Sequence, residues 1–162
     1  MKVRSAKRKI QNTKYKEERR KKIVLKNVQG GKMVNHYGDL NVWQQSFRQC
    51  LDVYRATLAF PERERCSLTS KLRRSALLVP SNIAAGCGKK PVQESIEFLQ
   101  AAYRLNCNLE AMLRIAVQLG YLRIEEKEKL KKSVTAVGRM IKVCVAMLER
   151  KEFSLGRQNA NG

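Results

Sequence analysis

Apolar residues recur at steps of three and four along four stretches of the chain, which is the spacing of helices that bury one face. The first predicted helix begins at Asp39 or Asn41, either of which can cap it, and ends near Ala59, before a Phe-Pro pair. Its large apolar residues form one stripe, which we expect to lie in the core: Leu40, Trp43, Phe47, Leu51, Tyr54 and Leu58. Stacking of Trp43 and Tyr54 on bases is the alternative, although aromatic residues at this spacing are mostly core.

The second helix, predicted for Leu68 to Gly88, carries a double arginine, a late proline and small residues at its end. At 100° per residue, five residues share one stripe that we expect to be buried: Leu68, Leu72, Ala76, Val79 and Ile83. Leu77 and Ala84 fall on roughly the opposite side. Because a second apolar face predicts contact with another subunit, we assign Leu77 and Ala84 to an oligomer interface.

Pro80 interrupts the second helix, because it lacks a backbone donor and clashes with the preceding turn. We therefore expect a kink or break near residues 77–79, with Ser81 and Asn82 hydrogen-bonding to the loosened backbone. Gly86 marks the end of the segment. These residues are predicted to be architectural and not catalytic.

The third helix is predicted from about Pro91 to Leu119. Its wide apolar face contains Ile96, Leu99, Tyr103, Leu109, Leu113, Ala116 and Val117. Glu110 falls inside that face, and an unpaired buried carboxylate is costly. We predict that Glu110 pairs with Arg73 of the second helix, and that Arg74 is the more exposed arginine. A catalytic role for Glu110 would need a second carboxylate or a histidine, which the periodicity does not supply.

The fourth helix is predicted from about Glu125 to Lys151, with a clean apolar stripe: Leu130, Val134, Val137, Ile141, Cys144 and Leu148. Basic residues line up on its other side with few acids to balance them: Lys132, Arg139, Lys142 and Arg150. Such a run is either an ordinary solvated face or a surface that contacts phosphates. Four amphipathic helices with short connections and no strand-like alternation predict an all-α fold, an antiparallel up-down four-helix bundle over residues 37–152.

The net charge of the chain adds more to the predicted fold than any motif does. The 162 residues carry 34 Lys and Arg against 14 Asp and Glu, a net charge of +20. Residues 1–32 alone hold thirteen of the basic residues and two of the acidic ones. We expect residues 1–36 to be a basic disordered tail, either an arm that wraps a phosphate backbone or a translated leader before a natural start at Met33. The leader hypothesis arises because purine-rich codons for Gln29-Gly30-Gly31-Lys32 would resemble a ribosome-binding site. Residues 153–162 are predicted to be a disordered C-terminal tail.

Candidate catalytic chemistry is sparse. Five cysteines are scattered and never form a Cys-x-x-Cys pair, so neither a disulfide framework nor a zinc site is predicted. His36 is the only histidine, and no phosphate-binding glycine loop occurs. We therefore expect no enzymatic activity, no metal and no cofactor. Since the sequence has neither a membrane-length apolar run nor a secretory signal, we expect a cytoplasmic protein.

An excess of positive charge in such a protein predicts an anionic partner, which is most often nucleic acid. Contacts with the phosphates of RNA or DNA give affinity without much sequence preference. We expect nine residues to make such contacts: Lys71, Arg74, Lys89, Lys90, Arg104, Lys132, Arg139, Lys142 and Arg150.

A family resemblance is carried by four runs of the sequence: VWQQSFRQCLDVYRATLAFP, LTSKLRRSALLVPSNIAAGCG, EFLQAA and LGYL. In these runs the chain resembles the small four helix bundle protein family, also described as the proteins encoded in intervening sequences of bacterial 23S ribosomal RNA genes. The resemblance covers about Leu40 to Leu122 closely and the fourth helix by pattern. Its most specific part lies in the second helix: Leu68, Thr69, Ser70, Leu72, Arg73, Arg74, Pro80, Ser81, Asn82, Ile83, Ala84 and Gly86.

This resemblance implies an antiparallel four-helix bundle that assembles as a ring-like homopentamer and has no known enzymatic activity. In fold and charge, the chain is also similar to the accessory variability determinant of diversity-generating retroelements. That similarity implies an alternative function, a scaffold that binds nucleic acid and a reverse transcriptase during mutagenic cDNA synthesis. The chain departs from the family pattern at Ala85 and Asn108, where Glu is usual, and at Arg104-Leu105, where a Gly-Ser pair is usual. These departures favour anion binding.

Overall fold

Four helices make up most of the computed structural model, which describes residues 36–89 and 91–160, with side chains up to residue 153. Their bounds are, for α1, Asn41–Ala56; for α2, Leu68–Gly86; for α3, Val92–Gln118; and for α4, Ile124–Ala160. Short 3₁₀ turns precede α1 and connect it to α2: Tyr37–Asp39, Thr57–Ala59 and Glu62–Glu64. No strand occurs among these residues, so the fold is all-α, as predicted. The predictions about residues 1–35 and Lys90 fall outside the described residues.

The helices form a four-helix bundle in which each helix packs mainly against two neighbours. α1 packs against α2, α2 against α3 and α3 against α4, while α4 closes the bundle against α1. The predicted apolar stripes of α2 and α4 are both buried, as their spacing of three and four residues requires. On α3 the predicted face is also buried, except that Tyr103 and Val117 are half-buried at its edges.

The prediction of the core face was wrong for α1. The side of α1 that packs inward consists of Val42, Ser46, Gln49, Cys50 and Val53. Four members of the predicted stripe are exposed instead: Phe47, Leu51, Tyr54 and Leu58, the last with 76% of its surface accessible. Only Leu40 of that stripe is buried, and Trp43 is half-buried. The helix is therefore rotated so that smaller and polar residues fill the core.

Hydrogen bonds explain why α1 can turn polar residues inward. Gln49 Nε2 donates to Asn106 Oδ1 of α3 at 2.9 Å, and Asn106 Nδ2 donates to the backbone carbonyl of Val134 in α4 at 2.8 Å. Ser46 Oγ donates to the carbonyl of Trp43 at 2.7 Å. Buried polar groups are tolerated when they are paired in this way. The Gln49–Asn106 pair thus joins three of the four helices through the core.

α2 runs through Pro80 without the break that the sequence predicted near residues 77–79. The hydroxyl of Ser81 and the amide nitrogen of Asn82 each donate, at 2.8 Å, to the backbone carbonyl four residues earlier. These bonds satisfy carbonyls next to the turn where proline supplies no backbone donor. The predicted role of Ser81 and Asn82 is therefore confirmed.

Gly86 ends α2 at the point where the helix lies against α3. A Cβ atom at Gly86 would lie 2.9 Å from Phe98 Cβ and 3.2 Å from the carbonyl oxygen of Ser95. Such distances are too short for any side chain without a shift of the backbone. The glycine therefore permits the close approach of the two helices, in agreement with the architectural role predicted for it.

The predicted ion pair between Glu110 and Arg73 does not form. Arg73 turns towards α1, where its Nε donates to Thr57 Oγ1 at 2.8 Å and its guanidinium lies 5.2 Å from the centroid of the Tyr54 ring. Glu110 lies at the edge of the α3 face and accepts a hydrogen bond from Arg114 at 2.8 Å. Periodicity placed Glu110 in the core, but its position beside solvent lets a residue one turn away neutralise it.

The connection between α1 and α2 meets the connection between α3 and α4 at Tyr121. The Tyr121 hydroxyl donates to Glu64 Oε1 at 3.2 Å and accepts from Arg63 at the same distance. A hydrogen bond from Ser67 is the main cause that lowers the pKa of the Glu64 carboxyl below its ordinary value. This cluster fixes one end of the bundle.

α4 continues to Ala160, past the predicted end of the helix at Lys151. Among the described residues, no helix combines the length and the apolar character needed to cross a membrane.

Candidate nucleic-acid interface

The outer face of α4 is positively charged because of a run of sequence that lacks acids. Residues 129–148 contain five basic residues and no Asp or Glu. With a buried apolar stripe on the inner side, the basic residues of α4 are forced outward, and the four predicted members are all exposed: Lys132, Arg139, Lys142 and Arg150. At 100° per residue, Lys132, Arg139 and Arg150 lie within about 20° of one another, along about 27 Å of helix. We call these four residues the α4 cation row.

The members of the α4 cation row form no ion pairs, although Glu128, one turn before Lys132, attracts that lysine electrostatically. Arg55, Arg65, Arg114 and Arg123 each form an ion pair with a carboxylate three or four residues away. No member of the row lies within 4.0 Å of a carboxylate in the described part of the chain. Its charge is therefore available to a partner.

Lys142 connects the row to α3. Its Nζ atom lies 4.8 Å from the centroid of the Tyr103 ring, a distance suited to a cation–π interaction. A hydrogen bond with Tyr103 is the main cause that raises the pKa of Lys142 above its ordinary value. Arg104, the next residue of α3, is also exposed. Lys142 therefore stays protonated at neutral pH and is held against α3.

The remaining residues predicted to contact phosphates do not join this surface. Lys71 and Arg74 are exposed on α2, which lies across the bundle from α4 because both helices pack mainly against α1 and α3. Lys89 follows α2, with its Nζ atom 5.6 Å from the centroid of the Phe98 ring. Lys90 is outside the described residues. The structure thus divides the predicted set into the α4 cation row and scattered cations on or near α2 and α3.

A shallow groove that sequence reasoning missed runs beside the α4 cation row. It has a volume of about 200 Å³ and is lined by Asn41, Val42, Arg139, Met140, Val143, Cys144 and Met147. Val143 and Met147 leave 52% and 38% of their surfaces exposed. The spacing of Arg139, Val143 and Met147 at four-residue steps signals a common side of α4, but nothing in the sequence places the start of α1 opposite them.

The exposed apolar residues of α1 continue onto α2. Trp43 and Phe47 stack at a centroid distance of 5.3 Å, and the side chains that follow Phe47 at steps of three and four, up to Leu58, keep at least 38% of their surfaces exposed. Arg73 of α2 covers Tyr54, and one turn later Leu77 has 51% of its surface exposed. We call this surface the α1–α2 apolar face: Phe47, Leu51, Tyr54, Leu58 and Leu77. Contiguous apolar surface of this kind marks interaction sites.

Two residues of α2 were predicted to lie at an oligomer interface. Leu77 is exposed as predicted, whereas Ala84 is half-buried. The contribution of α1 was missed, because its exposed stripe has the periodicity of a core stripe.

The cysteines do not form a reactive cluster. Burial raises the pKa of the Cys144 thiol to about 11, and burial also raises the pKa of Cys50 and of Cys87. These thiols are therefore protonated at neutral pH and are weak nucleophiles. Cys66 and Cys107 are exposed. In the described ranges, 36–89 and 91–160, no three His, Cys, Asp or Glu residues are grouped so that they could hold a metal ion.

Comparison with known protein families identifies a match. The family model described as 23S rRNA-intervening sequence protein matches residues 38–143, which is more than half of the chain and extends from the turn before α1 into α4. No curated protein matches the chain.

Proposed function

The chain belongs to the 23S rRNA-intervening sequence protein family, and from that premise we propose that it is a non-catalytic, oligomeric protein that binds the backbone of nucleic acid. One observation carries this proposal: the α4 cation row presents exposed positive charge along one side of the bundle and forms no ion pair among the described residues. Arg139 and Lys142, three residues apart, repel one another on the helix, and an anionic partner removes that repulsion. RNA or DNA supplies phosphates in a row of matching length.

Binding of this kind is governed by the release of counterions. Each phosphate that the protein neutralises adds to the steepness with which affinity falls as salt is raised. The row contains Lys as well as Arg and no pattern of side chains suited to reading base edges, so we propose binding with little sequence preference.

We also propose that the four helices are antiparallel and that the subunits assemble as a ring-like homopentamer. Support for the helix directions comes from α3 and α4, where Tyr103 contacts Lys142 while Asn106, further along α3, bonds to the earlier residue Val134. The α1–α2 apolar face supports assembly, because its side chains stay exposed to water in a single subunit. A ring requires each subunit to use two different surfaces, and this face is one of them.

Charge reversal on the α4 cation row tests the proposed binding. We expect the full chain to bind labelled RNA and DNA oligonucleotides of several sequences, with affinity that falls steeply between 50 and 200 mM salt. In Arg139→Glu/Lys142→Glu, affinity should fall about tenfold or more for every sequence, and the slope of log affinity against log salt should decrease by about 1.5. Fluorescence anisotropy measures both quantities.

The matched control is Lys71→Glu/Arg74→Glu, which changes the net charge equally but lies on α2, across the bundle. Its affinity should fall less than about threefold, in line with a general change in charge. Equal losses in both variants would refute binding by α4, and binding that does not respond to salt would refute the proposed function itself.

A further inference from the structure

The groove beside the α4 cation row combines positive charge with exposed apolar surface. Arg139, Val143 and Met147 follow one another at four-residue steps, so a cation and two exposed apolar side chains lie on one side of α4. Asn41, from the start of α1, forms part of the opposite wall. The volume of about 200 Å³ is several times the ~30 Å³ that a water molecule occupies in the liquid.

The surroundings of the groove limit what can fill it. Lys132, Lys142 and Arg150 are exposed on the same helix and form no ion pairs in the described ranges, which favours an anionic occupant over a basic surface such as this one on a second copy. The apolar side chains require that the occupant also has an apolar part. A nucleotide meets both conditions, since it has a charged phosphate and a flat base.

The same chemistry predicts whether the bound nucleic acid is single-stranded or double-stranded. In a duplex the bases are stacked and paired, so the surface that meets α4 is phosphate and sugar, which gains nothing from Val143 and Met147. An unpaired base can leave its stack and lie on apolar side chains. The thioether of Met147 is polarisable and suited to contact with a ring. The Asn41 amide has both donors and an acceptor for the edge of a base.

We infer that this groove binds one unpaired base of a single-stranded nucleic acid whose phosphates follow the α4 cation row. The inference rests on the proposed function and adds strand selectivity to it. If phosphate contacts alone determined affinity, the affinities for single strands and duplexes would depend only on their charge. Contacts in the groove add affinity only for a strand that has unpaired bases.

The test uses the full chain and three probes of equal length: a single-stranded DNA, the same strand with abasic residues, and its duplex. We expect the normal strand to bind about fivefold to tenfold more tightly than the abasic strand, at the low end of the contribution of one base contact. In Val143→Asn/Met147→Gln this preference should disappear, while affinity for the duplex and the salt slope of the abasic strand stay unchanged. Both positions are exposed, and unchanged duplex binding shows that the variant is folded.

The control variant Ile115→Asn/Leu119→Gln exchanges two exposed apolar residues, one in the last turn of α3 and one directly after it, and should keep the preference for the normal strand. If the wild-type chain binds the normal and abasic strands equally and with steep salt dependence, the inference is wrong and the proposed function stands. If it binds no probe in a salt-dependent way, the proposed function fails together with the inference. Equal losses of single-strand and duplex affinity in Val143→Asn/Met147→Gln also overturn the base-binding groove.

Discussion

The α1–α2 apolar face and the α4 cation row lie on different helices of one bundle and leave different chemistry uncovered. Leu51, Leu58 and Leu77 expose hydrocarbon, and the nearby cation, Arg73, is tied to Thr57. On α4, by contrast, the members of the α4 cation row are exposed and form no ion pair among the described residues. Apolar association is insensitive to moderate salt, whereas contacts with phosphates weaken steeply with it. Assembly and nucleic-acid binding should therefore respond to different changes.

The largest effect should come from breaking the core that holds both faces in place. Asn106→Ala removes the partner of the fully buried Gln49 amide and leaves a cavity between α1, α3 and α4. We expect the free energy of unfolding to fall by about 2–4 kcal/mol, since a buried donor becomes unpaired. Urea titration followed by circular dichroism measures the change. The control is Asn108→Ala on the exposed side of the same helix, which should change stability by less than about 0.5 kcal/mol.

A smaller effect is expected when only the α1–α2 apolar face is changed, and it should show in association and not in folding. In Leu51→Glu/Leu77→Glu, charges replace two exposed side chains of the α1–α2 apolar face. If this face is buried between subunits, association should weaken about a hundredfold or more, because each buried leucine contributes roughly 1.5–3 kcal/mol. Light scattering should show dissociation, with helicity retained.

The reversed pair on α4, Arg139→Glu/Lys142→Glu, should keep the mass of the wild-type assembly. A wild-type protein that is already monomeric would contradict the proposed assembly and leave the α4 proposal standing.

The smallest effect concerns the two adjacent arginines of α2. Arg73→Met should lower the free energy of unfolding by about 1–2 kcal/mol, because Arg73 donates to Thr57 and covers the Tyr54 ring. Arg74→Met, at an exposed position, should leave stability nearly unchanged. Equal effects in urea titrations would show that Arg73 does not hold α1 and α2 together.

Periodicity predicted α2 and α4 well, because each of these helices has a single strong apolar stripe, and Leu72 or Ile141 could lie only inside. α1 has two competing stripes. The more hydrophobic stripe contains Phe47 and Leu51 and is therefore predicted to be buried. The stripe that is buried contains Gln49, because Asn106 of α3 provides a hydrogen-bond partner for Gln49 in the core. No local pattern reveals a partner 57 residues away. A stripe that faces solvent or another subunit has the same spacing as a core stripe.

The candidate site was predictable only where one helix forms it. The α4 cation row follows from the acid-free run and the inner stripe, so Arg139 and Lys142 were found from sequence alone. The groove depends on the start of α1 lying against α4, and the separation of Lys71 from the row depends on the order of the helices around the bundle. Both features depend on how the helices pack against one another, which the spacing of residues along a single helix does not show.

The Gln49–Asn106 bond has a consequence for how far the helices can slide along one another. A shift of one turn, about 5.4 Å, would place Gln49 against Ala102 or Leu109, buried residues of α3 whose side chains cannot accept a hydrogen bond. The pair therefore fixes the register of α1 against α3, and the bond from Asn106 to Val134 fixes that of α4. Because these two bonds fix the positions of α1 and α4 along the axis of the bundle, they also keep Asn41 and Arg139 in the same groove at the surface.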